Sequence, residues 1–349
     1  MITCTSRQQS ERGELYAYTL ANQNGMKVTV NNAGCAIQSI LVPGRDGRLA
    51  DVVLGYGDAA TYVSNRQYYF GCILGRCASR IKGGDLVIDD RHYQLTQNAG
   101  KDHLHGGLYG FDRAIFTPAI QNREGSESLV LSYVSADGEE GYPGEFRLTV
   151  TYTLDEENGL VIDYTGTSDA DTVVNLSNHS FFNLAGHGSG TIRDHQLRVH
   201  SDTYTIADDT GIPTGEIGDV ADTPLDFRDM TPIGGRIDRD FDQLAPGGGY
   251  NTNYIIGGQG LRKAAELYEP TSGRLMEVMS TMPGLQLFTA NRLNGTGTGK
   301  DGAVYDRWGA VCLETQYYPD ACHHPRFPSP VLRAKERYSH RTVYRFSHR

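Results

Sequence analysis

Glu314 is the residue in this chain best placed to do chemistry. It lies in Cys312-Leu313-Glu314-Thr315-Gln316-Tyr317-Tyr318-Pro319-Asp320, just after an apolar run, Val311 to Leu313, that reads as a buried strand. Period-2 alternation puts Cys312, Glu314 and Gln316 on one face and Val311, Leu313 and Thr315 on the other. A carboxylate on an inner face has to be paired, hydrogen-bonded or functional, because stranding it away from water is costly. Two imidazoles accompany it. His179 sits in the strand-like run Asn175-Leu176-Ser177-Asn178-His179-Ser180-Phe181-Phe182-Asn183-Leu184, and His105 in His103-Leu104-His105-Gly106-Gly107. One carboxylate, two imidazoles and no metal-ligand spacing point to proton transfer.

Each of these residues also has a plainer reading. Glu314 could be half of a buried ion pair, and His179 a core histidine held by a backbone carbonyl. The glycines after His105 allow close backbone approach and positive φ, which would present the imidazole at a cleft floor, although a simple turn would look the same. His103 is two residues earlier and in a strand would point the same way. Arg76 and Arg80 in Gly75-Arg76-Cys77-Ala78-Ser79-Arg80-Ile81 could offer planar forks to hydroxyls or form surface ion pairs. Cys322-His323-His324 looks like a metal tract. Neighbours in an extended segment alternate sides, however, so these are expected as loop residues at a cleft rim or in solvent. With a single Trp, Trp308, any ring stacking should fall to Tyr or Phe.

The elements that must position these groups read as strands. Lys27 to Val30 and Ile37 to Val42 flank the turn signal Asn31-Asn32-Ala33-Gly34. Leu129 to Val134 and Phe146 to Leu154 flank a Gly/Pro-rich connection, Asp137 to Gly144. Leu160 to Tyr164 and Thr172 to Leu176 read as a further pair. Ala264 to Tyr268 and Arg274 to Ser280 flank Pro270-Thr271-Ser272-Gly273, a hairpin signal. Thr342 to Phe346 closes the set. Helical pattern is confined to a turn or two within Asp58 to Tyr69. Many strands without βα alternation predict a sandwich rather than a parallel α/β sheet. The loops Gly211 to Gly215, Thr223 to Arg228 and Gly295 to Gly302 mix Gly with aromatic and charged residues, as the rim of a sugar cleft would.

The chain has 349 residues, and no composition break, charge run or internal repeat divides it, so residues 1–349 are expected to form a single domain. Its 42 Gly and 21 Tyr fit many short strands joined by turns. A formal net charge of -10 and a pI of about 5.5 argue against nucleic acid and fit a neutral or cationic small ligand. The N-terminus lacks the apolar core of a signal peptide, and no apolar run approaches a membrane span. Six scattered cysteines without a CxxC read as reduced thiols in a cytoplasmic protein.

Taken together these words resemble the aldose 1-epimerase (galactose mutarotase) family. They are Phe70-Gly71 through Gly75-Arg76 to Arg80-Ile81, Leu104-His105-Gly106-Gly107, Gly110-Phe111-Asp112, Asp137 to Gly144, Asn178 to Leu184, Thr214-Gly215, Thr223 to Arg228, Pro283-Gly284-Leu285-Gln286 and Cys312 to Asp320. The tail, Pro325 to Pro328 and Tyr338 to Tyr344, matches as well. The words occur in the family's order and cover nearly the whole chain. The resemblance implies an all-β fold, a large antiparallel β-sandwich (the galactose-mutarotase-like supersandwich), with an open cleft and no cofactor or metal. It implies Glu314 as general base and His179 as general acid, with His105 on the ring-oxygen side. Arg80 and Gln286 would bind hydroxyls of a small-molecule sugar.

Two positions depart from the family. An aspartate that binds hydroxyls in the family is Asn251 here, in Gly249-Tyr250-Asn251-Thr252-Asn253-Tyr254. The asparagine expected before the second arginine is Ser79. Neither touches the acid–base pair and both touch substrate binding, so galactose and glucose are not expected to be the best substrates. The resulting expectation is a cytoplasmic aldose mutarotase, monomer or homodimer, without nucleic-acid or membrane partners. Its rivals are a non-catalytic sugar-binding protein, a lyase or glycosidase using a second carboxylate such as Asp226, and a mutarotase of a deoxy sugar, uronate or disaccharide.

Overall fold

Alternating side chains build the sheets. In Phe146–Leu154 the side chains of Phe146, Leu148, Val150 and Tyr152 are buried, while Arg147, Thr149 and Thr151 between them are not. The computed structural model describes residues 1–349 apart from 66, 124, 125, 245, 246 and 296–298. Three antiparallel sheets carry most of it. A five-stranded meander runs Ile2–Ser10, Gly13–Ala21, Lys27–Asn31, Ile37–Pro43 and Leu49–Asp51. A nine-stranded sheet is ordered Thr117–Arg123, Ser126–Ser135, Phe146–Leu154, Gly159–Ser168, Arg337–His348, Arg274–Ser280, Arg262–Tyr268, Gln196–Val199 and Thr231–Pro232. A second five-stranded sheet is ordered Pro213–Asp219, Thr203–Ala207, Asn251–Ile255, Gly284–Phe288 and Cys312–Gln316. The neighbouring strands in these sheets run antiparallel, as a sandwich requires.

The predicted hairpins at residues 27–43 and 264–280 form, with Lys27 opposite Leu41 and Leu267 opposite Met276. The helix within 58–69 is Ala59–Ser64, capped by Asp58 Oδ1, which accepts the Thr61 N–H at 2.9 Å. One expected pair does not form. Gly159–Ser168 lies between Phe146–Leu154 and Arg337–His348, so both its edges are already taken. Thr172–Val173 pairs instead with Val331–Leu332. No helix among the described residues is long and apolar enough to cross a membrane.

Arg76 does neither of the things its position allowed. It is buried, and its guanidinium donates to the carbonyls of Pro143, Gly144, Ser135 and Ala136 and to the hydroxyls of Ser135 and Thr172. It ties the 137–144 connection to the body of the fold. A guanidinium survives burial this way because its fixed fork of donors is matched by oxygen acceptors.

Candidate active site

Three adjacent strands of the second five-stranded sheet supply one wall of the site. Gln286 lies directly opposite Glu314 in one ladder and opposite Asn253 in the other. Directly opposed side chains share a face, so Asn251, Asn253, Gln286 and Glu314 all project to the same side. The alternation expected around Glu314 holds. Leu313 faces the core, and every residue of Cys312–Gln316 is buried. Gln286 Nε2 donates to Asn251 Oδ1 at 2.8 Å, which takes one of that oxygen's two acceptor positions and leaves the Asn251 amide nitrogen as a donor.

His179 arrives from a segment that is mostly not strand. Only Ser177–Asn178 pairs regularly, with Ile73–Leu74. Backbone bonds do the positioning. His179 N–H donates to Cys72 O at 2.9 Å, and Gly71 N–H donates to His179 O at 2.9 Å. The segment is pinned to the Glu314 strand at both ends. Phe182 and Val311 exchange N–H···O bonds of 2.8 and 2.9 Å, and Tyr317 N–H donates to Asn175 Oδ1 at 2.8 Å. His179 Nε2 therefore lies 3.6 Å from Glu314 Oε1, with both side chains buried.

His105 and Ser79 form a second unit, built on the two-stranded pairing of Arg80–Ile81 with His103–Leu104. His105 N–H donates to Ser79 O at 2.9 Å, and Ser79 N–H donates to His105 Nδ1 at 3.1 Å. The second bond places the proton of the neutral imidazole on Nε2. His105 itself, not only its glycines, takes the left-handed region, at φ 52. Gly106 is required there, since a Cβ on it would sit 1.8 Å from Gly75 O. The turn separates His105 from His103. The latter is buried elsewhere, bonded to Thr96 O and the Tyr142 hydroxyl at 2.6 Å each, so the two do not point the same way. Arg80 follows Ser79 into the same pocket wall.

Glu314, His179, His105, Arg80, Ser79, Gln286 and Asn251 thus line one pocket enclosing about 190 Å³. Burial pushes the Glu314 carboxyl up to about 8, opposed by the Arg80 guanidinium. Burial pulls the His179 imidazole down to about 4. His105 is held well below the ordinary range by burial, with His179 adding to it, so it stays neutral. Between about 4 and 8 the Glu314–His179 pair therefore holds a single proton.

Reading the sequence did not find the aromatic walls. Phe181 stacks on His179 with ring centroids 4.8 Å apart, Tyr69 edges onto His105 at 4.9 Å, and Phe288 meets both His179 and Phe181 at 6.2 Å. A signal was present, since Phe181 and Phe288 each sit two residues beyond a predicted site residue in an extended run. Arg292 also lines the pocket, and nothing in the sequence marked it. Trp308 lies elsewhere, against Arg193 and Arg307.

The Cys322-His323-His324 tract needs correcting. His323 Nδ1 lies 2.7 Å from Asp320 Oδ1, and His324 Nε2 3.6 Å from Asp320 Oδ2, so both imidazoles face one buried carboxylate rather than opposite sides. Asp320 Oδ1 also accepts the Lys82 N–H at 2.9 Å, and Asp320 N–H donates to Arg80 O at 2.9 Å, which ties the tract to the Arg80 strand. Two groups among the described residues bring ligand-type atoms within 4.8 Å of one another: Asp320, Cys322 and His323, and His179, Cys312 and Glu314. Asp226, the distant carboxylate a glycosidase could have used, is bound by Arg228 at 2.7 Å and does not line the pocket. Of the loops expected at the rim, Gly211 borders a side compartment of the cleft, whereas Pro213–Asp219 is a strand. Residues 296–298 of the 295–302 loop lie outside the described residues.

The site is a buried carboxylate–imidazole pair under aromatic walls, carried on a sandwich whose sheet strands pair antiparallel. The aldose 1-epimerase family model matches residues 16–345, and the chain belongs to that family. It is 42% identical over 323 residues to the galactose mutarotase of Homo sapiens, covering 92% of this chain and 91% of the relative. It is 33% identical over 332 residues to the aldose 1-epimerase of Escherichia coli (strain K12), covering 94% of each. Among solved structures, galactose 1-epimerase from Lactobacillus acidophilus NCFM aligns with a TM-score of 0.89 at 26% identity, covering 100% of this chain and 99% of that one. The GalM/aldose epimerase homologue from C. elegans aligns with a TM-score of 0.85 at 28% identity, covering 95% and 98%.

Proposed function

We propose that the protein is a mutarotase, an aldose 1-epimerase that interconverts the α and β anomers of a free sugar through the ring-opened aldehyde. The observation that carries this is the His179–Glu314 pair, 3.6 Å apart in the pocket and sharing one proton across neutral pH. Glu314 takes the proton from the anomeric hydroxyl, and His179 gives one to the ring oxygen. The O–H electrons become the C1=O bond, the C1–O5 bond breaks, and O5 leaves as a hydroxyl. Rotation about C1–C2 and closure on the other aldehyde face return the protons. Only protons move, and each group ends as it began.

Burial keeps the shared proton on the carboxyl. The Arg80 guanidinium draws Glu314 back toward carboxylate, and sugar hydroxyls donating to it act in the same direction. The proton then passes to the imidazole, the arrangement this mechanism needs. His105 Nε2–H, Arg80 and Gln286 hold the sugar, and Tyr69, Phe181 and Phe288 exclude water.

Two further readings accompany this one. A single cluster of buried side chains runs from Ile2 to Phe346, which supports taking 1–349 as one domain. All six cysteines are free, which supports a reducing, cytoplasmic setting.

Pure anomers followed by polarimetry or proton NMR test the proposal. The protein should speed equilibration of at least one free aldose, and EDTA should leave the rate unchanged. Because His179, Cys312 and Glu314 could also hold an ion, loss of activity on chelation with recovery on zinc would overturn the metal-free mechanism. Specificity is the second test. In Asn251→Asp one oxygen still accepts from Gln286 and the other accepts a sugar hydroxyl. A charge-assisted hydrogen bond contributes about 1.5–3 kcal/mol, so preference for galactose or glucose should rise roughly ten- to a hundredfold in relative kcat/KM. A wild type that already prefers galactose, with Asn251→Asp unchanged, would refute that account of specificity.

A further inference from the structure

The cleft does not end at the catalytic pocket. A side compartment of about 60 Å³ opens beside it, and both are bordered by Ser79, Arg80, Asn251, Gln286 and Arg292. The two departures from the family, Ser79 and Asn251, therefore stand on the shared wall. So do two guanidiniums. Arg80 reaches into the side compartment: its Cζ and Nη1 lie 3.9 Å from where Gly211 would carry a Cβ. Arg292, on the same wall, is exposed. Among the described residues neither guanidinium meets a carboxylate at ion-pair distance. Arg80 is half-buried; burial and then Arg292 disfavour its charge, and Asp102, Asp208 and Glu314 favour it.

Two cations on one wall of a partly closed cleft repel each other unless negative charge offsets them. The nearby acids offset it only from beyond ion-pair distance. Asp208 Oδ1 is taken up by its own loop, accepting from Thr210 N–H at 2.9 Å, the Thr210 hydroxyl at 2.6 Å and Ile212 N–H at 3.2 Å. Asp102 Oδ1 accepts the Gly83 N–H at 2.9 Å. Asp209 and Asp242 are exposed at the outer rim. The carboxylate that the family places at position 251 is an amide here, and Gln286 Nε2 already donates to its oxygen. The shared wall thus carries two guanidiniums that no carboxylate among the described residues meets at ion-pair distance, although Asp208, Asp209 and Asp242 also border the compartment.

A carboxylate or phosphate fits the compartment of about 60 Å³ beside the catalytic pocket. We propose that the preferred substrate is an aldose bearing an anionic group, a carboxylate or a phosphate, clamped between Arg80 and Arg292 in the side compartment. This rests on the mutarotase reading. It assigns Arg292 as a specificity-determining residue and gives the acidic chain a local site for an anion, where the total charge alone pointed to a neutral or cationic ligand.

The test compares kcat/KM for anomer equilibration of glucose, galactose, glucuronate, galacturonate and glucose 6-phosphate, in wild type, Arg292→Gln and Arg292→Lys. The uronates and the phosphate ester separate the two kinds of anion. One anionic class should exceed its neutral parent by about tenfold or more. The anionic-to-neutral ratio should fall by about tenfold in Arg292→Gln and partly recover in Arg292→Lys, which keeps the charge without the fork. Neutral sugars preferred by wild type, or a ratio unmoved by Arg292→Gln, would overturn the clamp and leave the mutarotase reading intact. Failure to speed any sugar would overturn the mutarotase reading. The clamp is then decided by NMR titration with glucuronate, glucose 6-phosphate and galactose: tighter binding of an anion that weakens in Arg292→Gln upholds it, and equal binding of all three refutes it.

Discussion

Glu314→Gln should lower kcat on the order of 10²–10⁴-fold, with KM changed much less. The variant keeps the shape of the side chain and fills the same buried position opposite Gln286 in the ladder, so the sheet has no reason to rearrange. What it loses is the carboxylate proposed to accept the anomeric proton. The wild-type pH profile gives an independent check. Burial raises the Glu314 carboxyl to about 8 and lowers the His179 imidazole to about 4. Below about 4 both carry protons and no base remains. Above about 8 neither does and no acid remains. The profile of kcat/KM should be level between those limits and fall outside them. In Glu314→Gln the fall near pH 8 should vanish. A Glu314→Gln enzyme with near-wild-type kcat would remove the glutamate from the mechanism.

His179→Asn should cost a similar factor, on the order of 10²–10⁴ in kcat. Asparagine keeps a polar side chain near Glu314 but cannot protonate a leaving ring oxygen. Here the fall below about pH 4 should disappear, because the group responsible for it has gone. Thermal melting should accompany the kinetics, because the imidazole stacks between Phe181 and Tyr69 and its loss leaves space. A melt close to wild type with kcat preserved would transfer the acid role to His105, whose ring centroid is 5.4 Å from that of His179.

The sequence was most legible where its residues obey a period. The face Glu314 uses follows from counting along its strand, whereas Gln286 was legible only as part of the family resemblance, since its strand is buried on both faces. His179 and His105 were legible only as words. Their segments pair over two residues each, and the bonds that aim them come from backbone groups at Cys72, Gly71, Ser79, Val311 and Tyr317. No local pattern encodes such bonds. The same holds for Arg76, whose acceptors lie at 135–144 and at Thr172, and for the Thr172 pairing, which was read from adjacency although the edge of its neighbour belongs to residues 337–348. Arg292 stayed invisible for a related reason. A charge on a loop reads as solvated surface until the fold places another arginine beside it.

The strand 337–348 has a consequence for how the protein comes to exist. It sits in the middle of the nine-stranded sheet, with Gly159–Ser168 on one side and Arg274–Ser280 on the other. Everything before it in the sequence can form two half-sheets, each ending in an unpaired row of backbone donors and acceptors. They join only when this strand enters between them. During synthesis those two edges stay open until residues 337–348 have left the ribosome, and open edges are where chains pair with the wrong partner. A nascent or clipped chain stopping short of residue 337 is in the same position. It lacks the keystone of the sheet and exposes two sticky borders in its place.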